Sequence, residues 1–250
     1  MSATATVALH GFTGSAGTMA PLTSRLPDPV LALDLPGHGP VPISEDPADY
    51  TMAAAVAGVV DATAHLQRFA LVGYSMGGRV ALHVALSHPD RIAALALIGA
   101  RAGIDDTAER AQRIAADEAL ADQVESEGIE WFADYWAARP LFATQRHRLS
   151  VEQRAELRVQ RLECDPRGLA LSLRGMGAGA VKPIGCRLGE LSMPCALIVG
   201  EDDTKFAAIA HDMAAVMPQA DVCLIPDAGH AAHLEAPDAA AAAVIQCVSS

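Results

Sequence analysis

Short apolar runs alternate with amphipathic or alanine-rich stretches along most of this chain. Residues 4–9 predict a buried strand, followed by the turn His10-Gly11-Phe12-Thr13-Gly14 and a short helix over 19–26. Residues 30–35 predict the next strand, stopped by Pro36-Gly37-His38-Gly39, and 51–66 a helix rich in Ala and Val. A third strand over 69–73, a helix over 76–88 and a fourth strand over 92–98 repeat the alternation. From about residue 102 to 187 the apolar runs give way to charged, helical periodicity. Strands then resume at 195–199 and 221–225, with helices over 206–217 and 237–248. Strands that alternate with helices predict a parallel, doubly wound α/β sheet, here of about six strands. The strand-poor stretch predicts a helical lid over 102–187, inserted after the fourth strand into a core formed by 1–101 and 188–250.

Composition narrows the classes. Half the residues are hydrophobic (51%) and few are aromatic (4%), so the core is built of Ala, Val, Leu and Ile, as suits a helix-covered parallel sheet. The net charge of −12 argues against nucleic acid and anionic membranes as partners. No apolar run approaches the roughly 20 residues of a membrane-spanning helix. The N-terminus lacks a basic region followed by an apolar core, so a cytoplasmic protein is expected. Cys164, Cys186, Cys195, Cys223 and Cys247 are odd in number and form no C-x-x-C pair, which favours reduced thiols over disulfides or a metal site.

The chemistry begins at Gly73-Tyr74-Ser75-Met76-Gly77-Gly78-Arg79, a G-x-S-x-G between a strand and a helix. A serine on so sharp a turn has an exposed hydroxyl at a helix N-terminus, where developing negative charge is stabilised. The turn is the nucleophile elbow of an α/β-hydrolase fold. In that fold an acid and then a histidine follow the serine in sequence. Asp202 and Asp203 follow the fifth strand, and His230 follows the sixth, with His233 its competitor. A serine hydroxyl needs an adjacent base, an imidazole suits that task near neutrality, and a carboxylate fixes the imidazole's tautomer. The backbone N–H groups of Met76, after the serine, and of Phe12, in the loop after the first strand, are the expected oxyanion hole. His10, His38 and His83 are expected to pack or hydrogen-bond.

Of 18 Lys and Arg residues, 13 lie between Arg101 and Glu190, where the lid's acids largely balance them. Arg79 is different: in the first turn of the elbow helix, a charge must be paired or serve a ligand. A guanidinium fork binds carboxylates bidentately, so a small anionic carboxylate is the expected substrate class.

With these residues in view, the chain resembles the 2-succinyl-6-hydroxy-2,4-cyclohexadiene-1-carboxylate synthase family of menaquinone biosynthesis. The resemblance rests on Leu9-His10-Gly11-Phe12-Thr13-Gly14, Asp34-Leu35-Pro36-Gly37-His38-Gly39, the S-M-G-G-R run ending at Arg79, Trp136 with Pro140-Leu141-Phe142, Gly200-Glu201-Asp202-Asp203-Thr204-Lys205-Phe206, and Gly229-His230-Ala231-Ala232-His233. It implies a triad of Ser75, Asp203 and His230, the G-E-x-D-x-K-F spacing selecting Asp203 over Asp202. It further implies that Tyr74 and Trp136 line the pocket, and that Arg79, Arg113 and Arg161 bind substrate carboxylates, with Arg110 and Arg158 as the nearest rivals of the last two. The implied reaction is a carbon–carbon lyase step that expels pyruvate from 2-succinyl-5-enolpyruvyl-6-hydroxy-3-cyclohexene-1-carboxylate, without metal or organic cofactor. A monomer or small homo-oligomer is expected. Two departures touch the pocket wall. The family's E-S-A-S-P-G-L-like segment is here Ile98-Gly99-Ala100-Arg101-Ala102-Gly103-Ile104, and the tryptophan usual near Thr18 or Met19 is absent. The alternatives are a serine hydrolase with the same triad (an esterase, thioesterase or carbon–carbon-bond hydrolase) and, less favoured, a non-catalytic ligand receptor.

Overall fold

The computed structural model describes residues 4–250. Six strands, β1 (Thr6–Leu9), β2 (Val30–Leu33), β3 (Phe69–Tyr74), β4 (Ile92–Ile98), β5 (Cys195–Gly200) and β6 (Ala220–Ile225), form one sheet in the order β2-β1-β3-β4-β5-β6. Every pairing is parallel, so among the described residues the expected sheet is realised with no antiparallel edge. Among the described residues ten helices accompany them: α1 (Ala20–Thr23), α2 (Met52–Ala62), α3 (Met76–Ser87), α4 (Thr107–Ala137), α5 (Gln145–Arg148), α6 (Val151–Leu162), α7 (Pro166–Met176), α8 (Thr204–Ala214), α9 (Ala232–Glu235) and α10 (Pro237–Val248).

The alternation within each strand decides how the helices close on it. Successive side chains point to opposite faces. Leu9, Leu71, Leu95, Leu97 and Leu197 share one face with Val80 and Val84 of α3, Val59 of α2 and Met213 of α8. Ala8, Ala70, Ala94, Ala96 and Ala196 share the other with Leu22 of α1 and Ala240, Ala241 and Val244 of α10. Leucine fills the first layer; alanine in the second lets α10 approach the sheet closely.

Local chemistry trims the expected elements. Thr51 caps α2, its hydroxyl accepting from the Ala54 N–H at 3.2 Å. Pro21 falls where a helix over 19–26 would begin, and the segment divides into a 3₁₀ turn, Ala16–Met19, followed by α1. Helices α4 to α7 form the insert between β4 and β5. Its two necks meet where the Ile184 N–H donates to the Ala102 carbonyl at 2.8 Å. The long helix α4 bends at Gly128 (φ 81°, ψ 179°), which separates its Arg- and Asp-bearing first half from an aromatic second half, Trp131 to Trp136. Among the described residues no helix is long and apolar enough to cross a membrane.

Candidate active site

Strand order brings the reacting groups together. The sheet's winding reverses between β1 and β3, and ligands of open α/β sheets bind beyond the carboxyl ends of strands at such a point. Leu9 is in register with Gly73, so the loop after β1 and the elbow after β3 leave the sheet side by side. Ser75 sits between β3 and α3 at φ 49°, ψ −103°, a left-handed conformation costing a non-glycine residue about 1–3 kcal/mol. The elbow holds it there. The Ser75 N–H donates to the Ile98 carbonyl at 2.8 Å, and a Cβ at Gly73 or Gly77 would lie 2.4 Å from a backbone oxygen.

His230 Nε2 is 3.2 Å from Ser75 Oγ, and His230 Nδ1 is 2.7 Å from Asp203 Oδ2. Asp203 caps α8, its other oxygen accepting from the Phe206 N–H at 3.4 Å. Asp202 instead pairs with Arg148 at the surface, which separates the two neighbouring carboxylates by role. The histidine loop is anchored by buried Glu235, which accepts from the Gly229 N–H at 2.9 Å and from Thr144 of the insert at 3.1 Å. His233 is no competitor for the serine. It is buried against the Tyr74 ring, 4.2 Å between centroids, and burial with His230 nearby pushes its pKa down to about 3. His10 and His38 are likewise structural: His10 Nε2 accepts from the Leu35 N–H at 2.9 Å, and the two rings lie 5.2 Å apart. Met76 opens α3, so its N–H has no partner within that helix. Neither it nor the Phe12 N–H makes another backbone hydrogen bond among the described residues. Both are free for an oxyanion.

Ser75 and His230 open into a cavity of about 410 Å³ between core and insert. Tyr74 and Trp136, expected in the pocket wall, line it, and so do Phe12, Met76, Arg79 and Arg113. Arg101, Arg139 and Lys205 line it too, and were not singled out from the sequence. Lys205 belongs to the G-E-x-D-x-K-F segment, and Arg101 stands in the segment that departs from the family pattern. Five cations thus face one lining carboxylate, Asp117, in a protein of net charge −12. Arg79 donates through Nη2 to the Met176 carbonyl at 2.9 Å, while its Nε is buried without a partner among the described residues. Burial, with Arg113 nearby, lowers its pKa to about 10, so it remains charged at neutral pH.

Arg161 stands apart. It lines a small adjoining cavity of about 40 Å³ that shares Phe12, Tyr74, Trp136 and Phe142 as a wall with the larger one. It is 8% exposed and makes no hydrogen bond or ion pair through its guanidinium among the described residues. Of the rivals, Arg158 is at the surface and bonded to Asp134 at 2.7 Å, and Arg110 does not line the serine's cavity.

A serine–histidine–aspartate relay at the carboxyl edge of a parallel sheet, beneath a helical insert, defines an α/β-hydrolase, and the Alpha/beta hydrolase family matches residues 7–243. A Bacillus subtilis (strain 168) protein, provisionally named 2-succinyl-6-hydroxy-2,4-cyclohexadiene-1-carboxylate synthase, is 37% identical over 236 residues, 93% of this chain and 86% of its own. The synthase of that name from Enterobacter sp. (strain 638) is 33% identical over 96% of this chain and 90% of its own. The solved structure of MenH from S. aureus superimposes with a TM-score of 0.94 at 32% identity, covering 100% of this chain and 95% of that one. The chain belongs to the 2-succinyl-6-hydroxy-2,4-cyclohexadiene-1-carboxylate synthase family, within the α/β hydrolases.

Proposed function

We propose that this protein is a lyase of menaquinone biosynthesis that eliminates pyruvate from 2-succinyl-5-enolpyruvyl-6-hydroxy-3-cyclohexene-1-carboxylate, giving 2-succinyl-6-hydroxy-2,4-cyclohexadiene-1-carboxylate. The observation that carries this is a complete Ser75–His230–Asp203 relay opening into a cavity with five cations and one carboxylate, in a member of that family. The substrate brings three carboxylates, on the ring, the succinyl arm and the enolpyruvyl arm. Arg79 and Arg113 are the groups assigned to grip them, and Arg161 the one assigned behind the aromatic wall.

The ring proton at C2 is acidic because it lies beside the succinyl ketone. His230 Nε2 takes the Ser75 proton as Ser75 Oγ withdraws the C2 proton, and Asp203 stabilises the imidazolium. The electron pair left at C2 delocalises onto the succinyl oxygen, to which the Phe12 and Met76 N–H groups donate in this reading. It then forms the C2–C3 double bond, shifts the C3–C4 bond to C4–C5, and breaks C5–O. Enolpyruvate leaves, takes up a proton and becomes pyruvate, so the ring loses one proton and one enolate. The bond broken is carbon to oxygen, which corrects the carbon–carbon class expected from sequence. The cytoplasm is the proposed setting, supported by five free cysteines, and a small homo-oligomer or monomer the proposed state.

The test is pyruvate release from the enolpyruvyl adduct, with wild type and Ser75→Ala measured together because the adduct also loses pyruvate spontaneously. Release by wild type about 10³-fold or more above Ser75→Ala supports the reading. Equal rates, or a stable acyl group on Ser75, would overturn it in favour of a serine hydrolase.

A further inference from the structure

One side chain in the cavity has the wrong sign for its surroundings. Asp117 is 5% exposed, on the first half of α4, and is the only carboxylate among the described residues lining the serine's cavity. Its neighbours on the same helix, Glu118, Asp122 and Glu125, face outward, and Arg174 pairs with all three. Asp117 has a single polar partner among the described residues: Oδ1 accepts from Arg113 Nε at 2.8 Å, while Oδ2 is buried with none. Burial holds its carboxyl above the usual range against the opposing pull of Arg113. A buried, half-satisfied carboxylate is costly to the fold, and in a pocket built for anions its charge repels the ligand. Its position needs a compensating role.

Arg113 indicates that role. Its side chain is 45% exposed, and the contact with Asp117 is its only hydrogen bond among the described residues. A long arginine at a half-open rim samples many rotamers, and ordering one costs roughly 2 kcal/mol of side-chain entropy. Asp117 lies one helical turn on, at i+4, and grips Nε alone. Both Nη groups, the fork that recognises a carboxylate, are left unengaged.

We infer that Asp117 is a positioning residue, which fixes the Arg113 guanidinium at the cavity so that a substrate carboxylate meets a preset fork. The inference rests on the proposed function through Arg113's place as a carboxylate-binding group. It makes the value of Asp117 conditional. With Arg113 present, the anchor outweighs the repulsion of one negative charge. With Arg113 removed, the anchor is gone, and what is left is repulsion of the substrate and a pull on Arg79 that competes with it.

The experiment is a double-mutant cycle in steady-state turnover of the enolpyruvyl adduct by the intact protein, using Asp117→Ala, Arg113→Ala and both together. The expected result is a KM about 10-fold higher for Asp117→Ala, with the loss carried by KM rather than kcat. In the Arg113→Ala background the same change lowers KM, because it removes an anion that repels the substrate and competes with it for Arg79. Asp117→Asn keeps the volume and an oxygen for Arg113 Nε, so its KM rises less than that of Asp117→Ala. Loss of packing alone would act with the same sign in both backgrounds, and that outcome overturns the inference. So does a KM unchanged or lowered by Asp117→Ala in the wild-type background. If wild type shows no Ser75-dependent turnover, the proposed function fails and this inference falls with it. If wild type turns over but Arg113→Ala leaves KM unchanged, the inference alone is overturned.

Discussion

The sheet core and the helical insert are stabilised by different physics and divide the work of the site between them. Away from the site the core buries neutral groups: leucine on one sheet face, alanine on the other, with His10, His38 and His233 all at 1% exposure or less. The insert has only small apolar clusters of its own, around Phe132, Val124 and Leu169, and its outer surface is laced with arginine–carboxylate pairs. All three triad residues come from core segments, fixed by strand register and by the elbow. Arg101, Arg113, Arg139 and Asp117 come from the neck and the insert. A rigid apolar layer can hold reacting atoms within about 0.5 Å of a productive geometry, whereas a charged, half-exposed layer is suited to recognition. Lesions in the core should therefore cost rate or global stability, and lesions in the insert should cost binding or local order.

The largest effect belongs to the relay. Asp203→Asn leaves shape intact but can no longer hold His230 Nδ1–H against a charge, so the ring loses its productive tautomer. The expected loss is about 10⁴-fold in kcat with little change in KM. Transient and steady-state rates of pyruvate release check it. A loss falling mainly on KM would break the division of labour at its centre.

Next is the insert's own packing. Phe132 is fully buried among Val124, Cys164 and Leu169; Trp136 stacks on it and Phe12 meets it edge-on. Phe132→Ala should cost about 3–5 kcal/mol. Because the cluster's buried residues are distinct from the sheet layers and Phe12 packs against both, the damage should be mostly local. Limited proteolysis should cut within residues 107–176 while the core fragment resists. Uniform cleavage throughout the chain would show that the two regions unfold as one.

Acid should separate the regions in the opposite direction. Burial pushes His10 to about 4 and His38 to about 3, the latter with His10 adding to the shift, against a usual value of 6.5. A folded-state pKa below the unfolded one means that the unfolded chain binds the extra proton. Stability from these groups is therefore complete above about pH 6.5 and falls as pH drops toward 4. His10 alone is worth about 3 kcal/mol over that window. The insert responds later: the Arg158 hydrogen bond holds the Asp134 carboxyl below its usual range, so that pair persists until lower pH. Asp117, raised by burial, moves the other way and takes up its proton in the folded state first. Denaturant melts at pH 7 and 4.5 should show a core transition that shifts strongly. A core midpoint unchanged between the two would mean that these rings are already protonated in the fold.

The same contrast explains what could be read from the amino-acid pattern. Strand existence was legible because parallel strands buried on both faces are continuous apolar runs, and Ile92–Ile98 and Pro237–Val248 agree at both ends. The triad was legible because its order follows from strand order, although only motif spacing separates Asp202 from Asp203 in the sequence, whereas in the fold Arg148 holds the first and His230 the second. The insert's fold was not legible, since its helices bury narrow stripes and α4 bends at Gly128 in the middle of a charged run. Nor were Arg139 and Asp117, because which arginines face inward depends on tertiary packing that a run of 13 cations among at least as many acids does not encode. Asp117 did carry a faint signal, four residues beyond Arg113, but so do many solvated helix pairs.

The smallest expected effect probes the charged surface of the insert. Arg174 on α7 reaches Glu118 at 2.8 Å, Asp122 at 2.7 Å and Glu125 at 2.9 Å, joining three carboxylates on one face of α4 to a single guanidinium. Exposed pairs contribute only about 0.2–1 kcal/mol each, and the carboxylates are 37% to 67% exposed. Three pairs on one cation are not three independent contributions, since ordering one side chain serves all of them. Removing the cation, however, leaves three like charges at i, i+4 and i+7. Arg174→Ala should therefore cost about 1–2 kcal/mol of insert stability at low salt, with the difference from wild type shrinking in 1 M salt as both attraction and repulsion are screened. Hydrogen exchange of α4 and α7 amides at the two ionic strengths checks it. A cost that is independent of salt would assign Arg174's contribution to the packing of its aliphatic stem, and the insert would then be held, like the core, by burial rather than by charge.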